Sequence, residues 1–366
     1  MEKIIFVLPT FKIGGGNKLF ICLANELDKV FTHKVLIYSA SSKTCDSPHL
    51  KTMLSINKND VYETGVKYSR LISIFKLIKA LKKLEGIIVV SDPIICSFLT
   101  FTSIKYVRFF QADDYHLFDG HPKFNKIMIM LYKLLQKISY RSTKCSFIVN
   151  SNFVRECLLK VPYKISPVYG VNISPALSDE YFRDINYNKF DFNNTSLVIG
   201  NVGRIHKKKG FKYFVDLANE NYNSIEFLPK FITMSHDNLS NFDLRNIQVL
   251  EANNDEKCIE FYDKCDIFIS TSLFEGFGMP PLEAMARGCV CILFDCKGFR
   301  EYAVNGYNAI IVPVGAYSQL FDELLNVIKN VTLRRKISSA AIETAKKFTW
   351  NNTAINFEKL LKGKEK

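Results

Sequence analysis

Two glutamates bracket a short stretch rich in glycine and proline, FEGFGMPPLEA at 274–284. Glu275 and Glu283 have seven residues between them, and these include two glycines and two prolines. Pro280 and Pro281 suit the first turn of a helix, and glycines let backbone N–H groups approach a ligand. Because carboxylates accept hydrogen bonds from hydroxyls, the stretch favours a ligand with two polyol parts, such as a sugar joined through a diphosphate to a ribose. The simpler alternatives are a favourable charge in a first helical turn for Glu283 and a solvated loop position for Glu275.

A second candidate is the basic loop RIHKKKG at 204–210, which follows Gly203. Arg204 presents a planar fork of donors and Lys209 a point charge, and this pair suits a diphosphate. The alternative is an exposed basic loop with no ligand, since His and two Lys lie between the two residues.

A third candidate is a run of three glycines, Gly14, Gly15 and Gly16, between an apolar run and a helical pattern. Glycines at this place let a phosphate reach backbone N–H groups at the start of a helix. The run does not have the spacing of a dinucleotide-binding fingerprint, so a tight turn without a ligand is the alternative.

These loops follow apolar runs that read as buried strands, and helical patterns come after them. The pattern predicts an α/β fold of two doubly wound, Rossmann-like domains that face each other across a cleft, with ligands at the carboxyl ends of the strands. The domains are predicted at 1–168 and 196–349, with a linker at 169–195. Strands are predicted at 3–9, 33–40, 86–91, 105–110 and 145–149, and then at 196–203, 225–234, 247–250, 266–270, 289–294 and 308–312.

Composition narrows the class of protein. The chain has 366 residues, of which 48% are hydrophobic, and this is enough for two cores. No signal peptide is recognised at the amino terminus, and the apolar segment 86–104 is interrupted by Asp92-Pro93, so it reads as strand, turn and helix rather than a membrane span. Ten cysteines without metal-ligand spacing read as reduced thiols. A cytoplasmic protein is expected.

The formal net charge is +13, and much of it lies in two segments, 70–86 and 123–144. In both, Lys and Arg recur at helical spacing beside an aliphatic stripe. The favoured interpretation is a surface helix that packs its apolar face on the protein's own sheet. The alternative is that one of these helices contacts an anionic membrane surface.

The motifs together resemble the retaining glycosyltransferases of the GT-B fold, especially glycosyltransferase family 4. The two glutamates of EGFGMPPLE are similar to the E-x7-E motif of that family, and VGRIHKKKGF is similar to its G-R…K-G loop. GGGNKLFICLANEL, FIVNSNFVRECL, GFREYAVNGYNAIIVPVG and FTW resemble further segments of the family, in the same order. The resemblance extends along nearly the whole chain.

The resemblance implies transfer of a sugar from a nucleotide-diphosphate donor, with retained anomeric configuration, and no metal or other cofactor. Arg204 and Lys209 would hold the diphosphate, Glu283 the ribose, and Glu275 the donor sugar. The last helix would return to the first domain, which would place 350–366 there. The donor-binding set implied by the resemblance is Gly14, Gly15, Gly16, Gly203, Arg204, Lys209, Glu275, Gly276, Phe277, Gly278, Met279, Leu282 and Glu283.

One segment departs from the family pattern. Many members carry a His after a middle strand of the first domain, whereas this chain reads RFFQADDYHLFDGH at 108–121. The segment resembles a Q-D-Y-E segment of rhamnosyltransferase-like members and makes mannosyl or rhamnosyl transfer a candidate. The acceptor-side candidates are Gln111, Asp113, Asp114 and His116, and the catalytic candidates are Glu275, Arg204, Lys209 and Asp114. A polar loop with solvated charges is the alternative.

The expected acceptor is a growing surface glycan or a lipid-linked saccharide of the lipopolysaccharide, O-antigen or capsule type. The basic helices fit such an acceptor at the cytoplasmic face of an inner membrane. A nucleotide-sugar epimerase or phosphorylase of the same fold is a second hypothesis. A nucleic-acid-binding protein, suggested by the net charge, belongs to another class, but the lysines follow amphipathic helices and no base-stacking motif is present, so no nucleic-acid partner is expected.

Overall fold

The chain forms two compact units, Met1–Ala176 together with Trp350–Lys366, and Leu177–Thr349. Each is described by itself. The computed structural model describes residues 3–10, 15–31, 33–40, 61–65, 70–119, 125–162, 165, 168–187, 189–190, 196–220, 222, 228–252 and 254–362.

The first unit is built on a parallel sheet of seven strands in the order β3-β2-β1-β4-β5-β6-β7. Its central strands are continuous apolar runs such as KIIFVL, and they are buried on both faces because helices cover both sides of the sheet. The strands are β1 Lys3–Leu8, β2 Lys34–Ser39, β3 Val61–Glu63, β4 Ile87–Val90, β5 Tyr106–Phe110, β6 Cys145–Val149 and β7 Val168–Asn172.

Helices of the first unit pack in two layers. The helix α1 Gly15–Val30 shares one core with α11 Trp350–Lys362, whose Phe357 ring lies 5.9 Å from that of Phe6. The helices on the other face share a second core. They are α2 Arg70–Leu81, α3 Pro93–Leu99, α4 Lys126–Tyr140 and α5 Asn152–Leu159.

The apolar segment 86–104 folds as predicted, with β4, a turn and α3. Asp92 caps α3, since its Oδ1 accepts hydrogen bonds from the backbone N–H groups of Ile94 at 3.0 Å and Ile95 at 2.8 Å. Among the residues that the structure describes, no helix is long and apolar enough to cross a membrane.

The second unit has a parallel sheet of six strands in the order β10-β9-β8-β11-β12-β13. The strands are β8 Val198–Val202, β9 Lys230–Met234, β10 Ile247–Leu250, β11 Ile267–Ser270, β12 Val290–Phe294 and β13 Ile310–Val312. The helices are α6 Phe211–Ala218, α7 Asp255–Lys264, α8 Met279–Ala286, α9 Tyr317–Lys329 and α10 Val331–Ala345. The prediction of two doubly wound, Rossmann-like α/β domains is therefore confirmed.

The sequence did not predict two strands. β3 has only three residues, too few for an alternation to be recognised. β7 lies across the start of the predicted linker 169–195 and reads VYGVN, with a glycine that weakens its strand pattern. The predicted strand at 225–234 is seen from Lys230, and part of it lies outside the described residues.

The favoured interpretation of the second basic helix is wrong. In α4 the buried residues are Tyr132, Gln136, Ser139 and Tyr140, whereas most of its aliphatic side chains face outward. In α2, by contrast, Ile74, Leu77, Ile78 and Leu81 pack on the sheet as expected.

Candidate functional site

The basic loop of the second unit is fastened to the segment that follows β11. The backbone N–H of Leu273 donates to the Lys208 carbonyl at 2.7 Å, and Thr271 Oγ1 donates to the Lys209 carbonyl at 3.4 Å. Gly210 ends the basic turn with φ +57°, and a Cβ there would lie 2.2 Å from the Thr271 carbonyl oxygen. A glycine is required at this position, and it lets the two loops lie side by side.

This packing joins two of the predicted residues. Lys209 Nζ lies 2.6 Å from Glu275 Oε1, and Ser272 Oγ donates to the same oxygen at 2.8 Å. The Lys209 side chain is 35% exposed and the Glu275 side chain 15%, so the pair lies at the surface of the loops with a face open to a ligand. Lys209 and Ser272 together fix the orientation of the Glu275 carboxylate.

Arg204 lies at the other end of the basic loop and remains half exposed. Its Nε donates to Asp237 Oδ2 at 3.1 Å, and the backbone N–H of Ile205 donates to the same oxygen at 2.9 Å. Gly203 precedes it in close packing, since a Cβ there would lie 2.8 Å from Thr233 Oγ1. Arg204 is thus anchored after β9 while its guanidinium remains accessible.

The glycine-rich turn between β11 and α8 is shaped by close contacts. Gly278 has φ +82°, and a Cβ there would lie 2.0 Å from the Phe299 ring. The Tyr302 hydroxyl donates to the Gly278 carbonyl. Gly298 allows a second close approach, since its Cβ would lie 2.3 Å from the Glu275 carbonyl oxygen. These glycines place Glu275 and the start of α8 next to each other.

Glu283 is the fifth residue of α8, so it lies just beyond the first turn, in which the prolines had predicted it. The Tyr262 hydroxyl on α7 donates to Glu283 Oε2 at 2.7 Å. Burial and the neighbouring Glu283 carboxylate raise the pKa of Tyr262, so this hydroxyl keeps its proton and remains a donor. Glu283 is partly exposed, and Tyr262 holds it in one orientation.

The other residues of the predicted set contribute through their backbone or their packing. The Phe277 side chain is 3% exposed, with its ring 5.3 Å from Tyr302 and 5.9 Å from Phe348. Leu282 is fully buried in the same core, and Met279 packs against it. Gly276 is buried beside them. Phe277 and Leu282 therefore support the turn, and their side chains are turned away from any ligand.

In the first unit, Gln111 and the glycine turn meet. Gln111 Nε2 donates to the carbonyl of Gly16 at 3.3 Å, and a Cβ on Gly16 would lie 2.8 Å from Gln111 Oε1. Gly15 is the first residue of α1, and Gly14 lies outside the described residues. Asn150, after β6, donates to the Gln111 carbonyl at 3.1 Å. The carboxyl ends of β1, β5 and β6 thus bring polar groups to one edge of the sheet.

Asp113 and Asp114 do not act as a pair. Asp113 Oδ2 lies 2.7 Å from His116 Nδ1, and His116 is half exposed. Asp114 is 7% exposed, and its Oδ2 accepts a hydrogen bond at 2.9 Å from the fully buried Arg108. Burial raises the pKa of Asp114 to about 6, although the Arg108 guanidinium lowers it. Asp114 was expected to make a catalytic contact, but it forms a buried ion pair with Arg108 that anchors the loop after β5 to the core.

Four supporting residues were missed in the sequence. Ser272, Tyr262, Asp237 and Tyr302 each hold a predicted residue or the glycine-rich turn by a hydrogen bond. Ser272 and Asp237 follow β11 and β9, so their position at the carboxyl ends of parallel strands was the available signal. For Tyr262 and Tyr302 the sequence holds no such signal, because their contacts depend on how helices pack.

The arrangement in the second unit offers a cationic loop, two oriented carboxylates and a glycine turn at one edge of a parallel sheet. This edge is where doubly wound folds bind nucleotides. Residues 236–344 match the family model for Glycosyl transferases group 1. The match includes Glu275, the glycine turn and Glu283.

Similar proteins agree with this match. The chain is 27% identical over 184 residues to an uncharacterized glycosyltransferase of Methanocaldococcus jannaschii, a match that covers 49% of this chain and 50% of that one. It is 24% identical over 244 residues to the N,N'-diacetylbacillosaminyl-diphospho-undecaprenol alpha-1,3-N-acetylgalactosaminyltransferase of Campylobacter jejuni, covering 63% and 62%. The chain therefore matches between about half and two thirds of the length of these curated relatives.

Among solved structures, the sucrose-phosphate synthase of Thermosynechococcus elongatus superposes with a TM-score of 0.79 over 99% of both chains, at 13% identity. At this identity the likeness concerns the fold, which is the GT-B architecture of two Rossmann-like domains. The family match and the relatives thus make the chain similar to glycosyltransferases of group 1, and the solved structure shows its fold.

Proposed function

We propose that the protein transfers a sugar from a nucleotide-diphosphate donor to a saccharide acceptor, with retention of the anomeric configuration. The observation that carries this proposal is the Lys209–Glu275 pair, 2.6 Å apart and partly exposed, in the same edge as Glu283. Such a pair suits the bond between the donor's sugar and its diphosphate, because the ammonium group can contact the diphosphate while the carboxylate accepts hydrogen bonds from the sugar hydroxyls.

Arg204 and Lys209 would stabilise the negative charge that develops on the departing diphosphate. Glu275 would hold the hydroxyls of the transferred sugar, and Glu283 those of the ribose. Because the basic loop supplies the positive charge, the proposal requires no metal ion. Incubation with EDTA should therefore leave the rate of transfer unchanged.

The proposed acceptor is a lipid-linked saccharide or a growing surface glycan of the lipopolysaccharide, O-antigen or capsule type. The name of the Campylobacter jejuni relative, whose acceptor is a saccharide on diphospho-undecaprenol, supports a lipid-linked acceptor. Gln111, Asp113 and His116 in the first unit are the candidates for acceptor contacts. A place at the cytoplasmic face of a membrane, as a peripheral protein, is part of the proposal.

The test is a transfer assay with the purified full chain. Sugars bound to UDP, GDP or dTDP are offered with polyprenyl-diphosphate-linked saccharides, products are identified by mass spectrometry, and the new anomeric centre is assigned by NMR. We expect one donor to yield a product with retained configuration. Conversion of a donor to its epimer without an acceptor would favour the epimerase hypothesis, and an inverted product would contradict the proposed mechanism.

A further inference from the structure

A surface helix normally buries its apolar side and exposes its polar side, but the helix α4 of the first unit does the opposite. The residues that it buries are Tyr132, Gln136, Ser139 and Tyr140, and all four carry a polar group. Its exposed side is aliphatic, and the exposed fractions lie between 39% and 64%. These outward residues, called here the apolar face of α4, are Ile127, Met130, Leu131, Leu134 and Ile138.

The buried Arg108 explains why the inner side of α4 is polar. Its guanidinium donates to Gln136 Oε1 at 2.7 Å and to Ser139 Oγ at 3.1 Å, and it lies 4.6 Å from the Tyr140 ring. Tyr132 donates to the Asp114 carbonyl at 2.5 Å. This hydrogen-bond network fixes which side of α4 faces the sheet. The aliphatic side chains on the opposite side of the helix are therefore held toward solvent.

A second helix extends this surface. On α2, Leu71, Ile72 and Phe75 are 51–59% exposed, although the helix buries a complete apolar stripe beneath them. The helices α2, α3 and α4 share one core on the same side of the sheet. Phe75 contacts Phe98 on α3 with ring centroids 5.7 Å apart, and Gln136 on α4 donates to Ser97 on α3 at 3.0 Å. The three helices therefore form one layer, and its outer side carries both apolar groups.

The charged side chains of the two helices themselves are all basic, although acidic groups of neighbouring segments pair with two of them, Asp92 with Arg70 and Asp119 with Lys133. Neither 70–81 nor 126–140 contains Asp or Glu. Lys76 and Lys79 are exposed on α2, and Lys126 and Lys137 are exposed on α4. Lysines at such places extend their ammonium groups to the level of lipid phosphates while their stems lie along apolar surface.

We propose that the outer side of α2 and α4 lies on an anionic membrane surface. Aliphatic side chains would enter the boundary of the acyl region, and the lysines would contact acidic headgroups. A surface made mostly of Ile, Leu, Met and Lys side chains, with Phe75 as an aromatic member, fits a lipid boundary better than a protein partner, whose binding sites favour several aromatic and Arg anchors. This inference rests on the peripheral membrane location that the proposed function includes and assigns it to two helices, but vesicle binding can be measured without the transfer reaction.

The test is co-sedimentation of the full chain with sucrose-loaded vesicles of phosphatidylcholine, with and without about 30% phosphatidylglycerol. We expect binding to the anionic vesicles that weakens as salt is added, and weak binding to the neutral ones. The variant Ile127→Gln/Met130→Gln/Leu134→Gln should lower the partition coefficient about tenfold or more. Lys76→Gln/Lys79→Gln/Lys137→Gln should remove the preference for phosphatidylglycerol.

A matched control removes apolar groups that are equally exposed elsewhere. Leu228→Gln/Val304→Gln changes side chains of the second unit that are 67% and 55% exposed, and it should leave vesicle binding unchanged. Because the substituted residues are exposed, the melting temperature of each variant should match that of the wild type. Equal vesicle binding by the α4 variant and the wild type would overturn the proposal. So would light scattering that shows a wild-type dimer, dissociated by the α4 substitutions, together with no vesicle binding.

Discussion

Lys209 Nζ and Glu275 Oε1 lie 2.6 Å apart, although 66 residues separate them in the chain. Two loops that follow different strands, β8 and β11, bring them together, and backbone hydrogen bonds fasten these loops to each other. A basic residue and an acidic residue that the sequence marks independently thus form one unit. This geometry is the basis of the first prediction.

Lys209→Met should lower the rate of glycosyl transfer by about 100-fold, because a preorganised cation at a departing diphosphate acts mainly in the transition state. Lys208→Met is the matched control on the same turn, since Lys208 Nζ lies over the Phe274 ring at 5.0 Å and does not pair with Glu275. Steady-state kinetics with the donor that the transfer assay identifies would measure both. Equal rates for the two variants would show that the basic loop is a surface feature.

Glu283→Ala should weaken binding of the nucleoside diphosphate by about 1–3 kcal/mol, the cost of leaving ribose hydroxyls without an acceptor. Tyr262→Phe keeps the carboxylate but removes the hydrogen bond that orients it, so it should weaken binding by about 1 kcal/mol. Isothermal titration calorimetry gives both values. Glu260→Ala, an exposed site on α7, serves as the control, and an unchanged affinity for Glu283→Ala would remove the ribose assignment.

Gly278→Ala should destabilise the fold by about 3 kcal/mol or more, because a left-handed residue gains a Cβ that would lie 2.0 Å from the Phe299 ring. Gly306→Ala is the matched control, since Gly306 also has a positive φ, +72°, but no atom lies within 4 Å of the added Cβ. It should cost only about 1 kcal/mol. Urea unfolding compares the two. Similar losses would mean that backbone strain alone, and not the close contact, requires glycine at 278.

Arg108→Met should destabilise the protein by about 3–5 kcal/mol near neutral pH, because Asp114 would become a buried carboxylate without its cation. The folded-state pKa of Asp114 is already raised above the unfolded value of 3.8, to about 6. The stability that such a group contributes is present below the unfolded pKa and is lost as the pH rises through the folded pKa. Without Arg108 that pKa should rise further, so the variant should recover part of its stability as the pH falls from about 7.5 to 5.

Unfolding curves of Arg108→Met at several pH values check this prediction. The double variant Arg108→Met/Asp114→Asn, in which no carboxylate is left unpaired, should be more stable than the single variant near neutral pH. A loss that does not change with pH would indicate that packing of the guanidinium between Phe110 and Tyr140, rather than the ion pair, determines the cost.

Most of the sheet strands could be predicted because strands buried on both faces leave continuous apolar runs, as in KIIFVL and VCILF. The glycine and proline pattern around Glu275 and Glu283 likewise located the turn and the start of α8. These features could be predicted because they depend only on residues that are close together in the sequence. The roles of Phe277 and Leu282 could not be read in the same way, since only packing decides which side of a turn faces the core.

The orientation of α4 shows a second limit. The periodicity of α4 predicts an amphipathic helix but does not predict which side faces the sheet. That orientation depends on Arg108, which lies on the strand β5 and donates a hydrogen bond to Gln136. Asp114 is a related case. Beside Asp113 it resembles a group that could contact a ligand, but Arg108, six residues before it on β5, holds it in a buried ion pair, and burial of that arginine depends on packing against α4.

The central claim is that the edge of the second unit binds a nucleoside diphosphate. The most direct measurement is a thermal-shift titration of the full chain with UDP, GDP, dTDP, CDP and NAD, for the wild type and for Glu283→Ala. A ligand that binds the native state raises the melting temperature with its concentration. We predict a saturable rise with one nucleoside diphosphate, and the same rise in Glu283→Ala should require a concentration of that ligand about 5- to 150-fold higher. A rise with NAD alone, or one that persists undiminished in Glu283→Ala, would contradict the account.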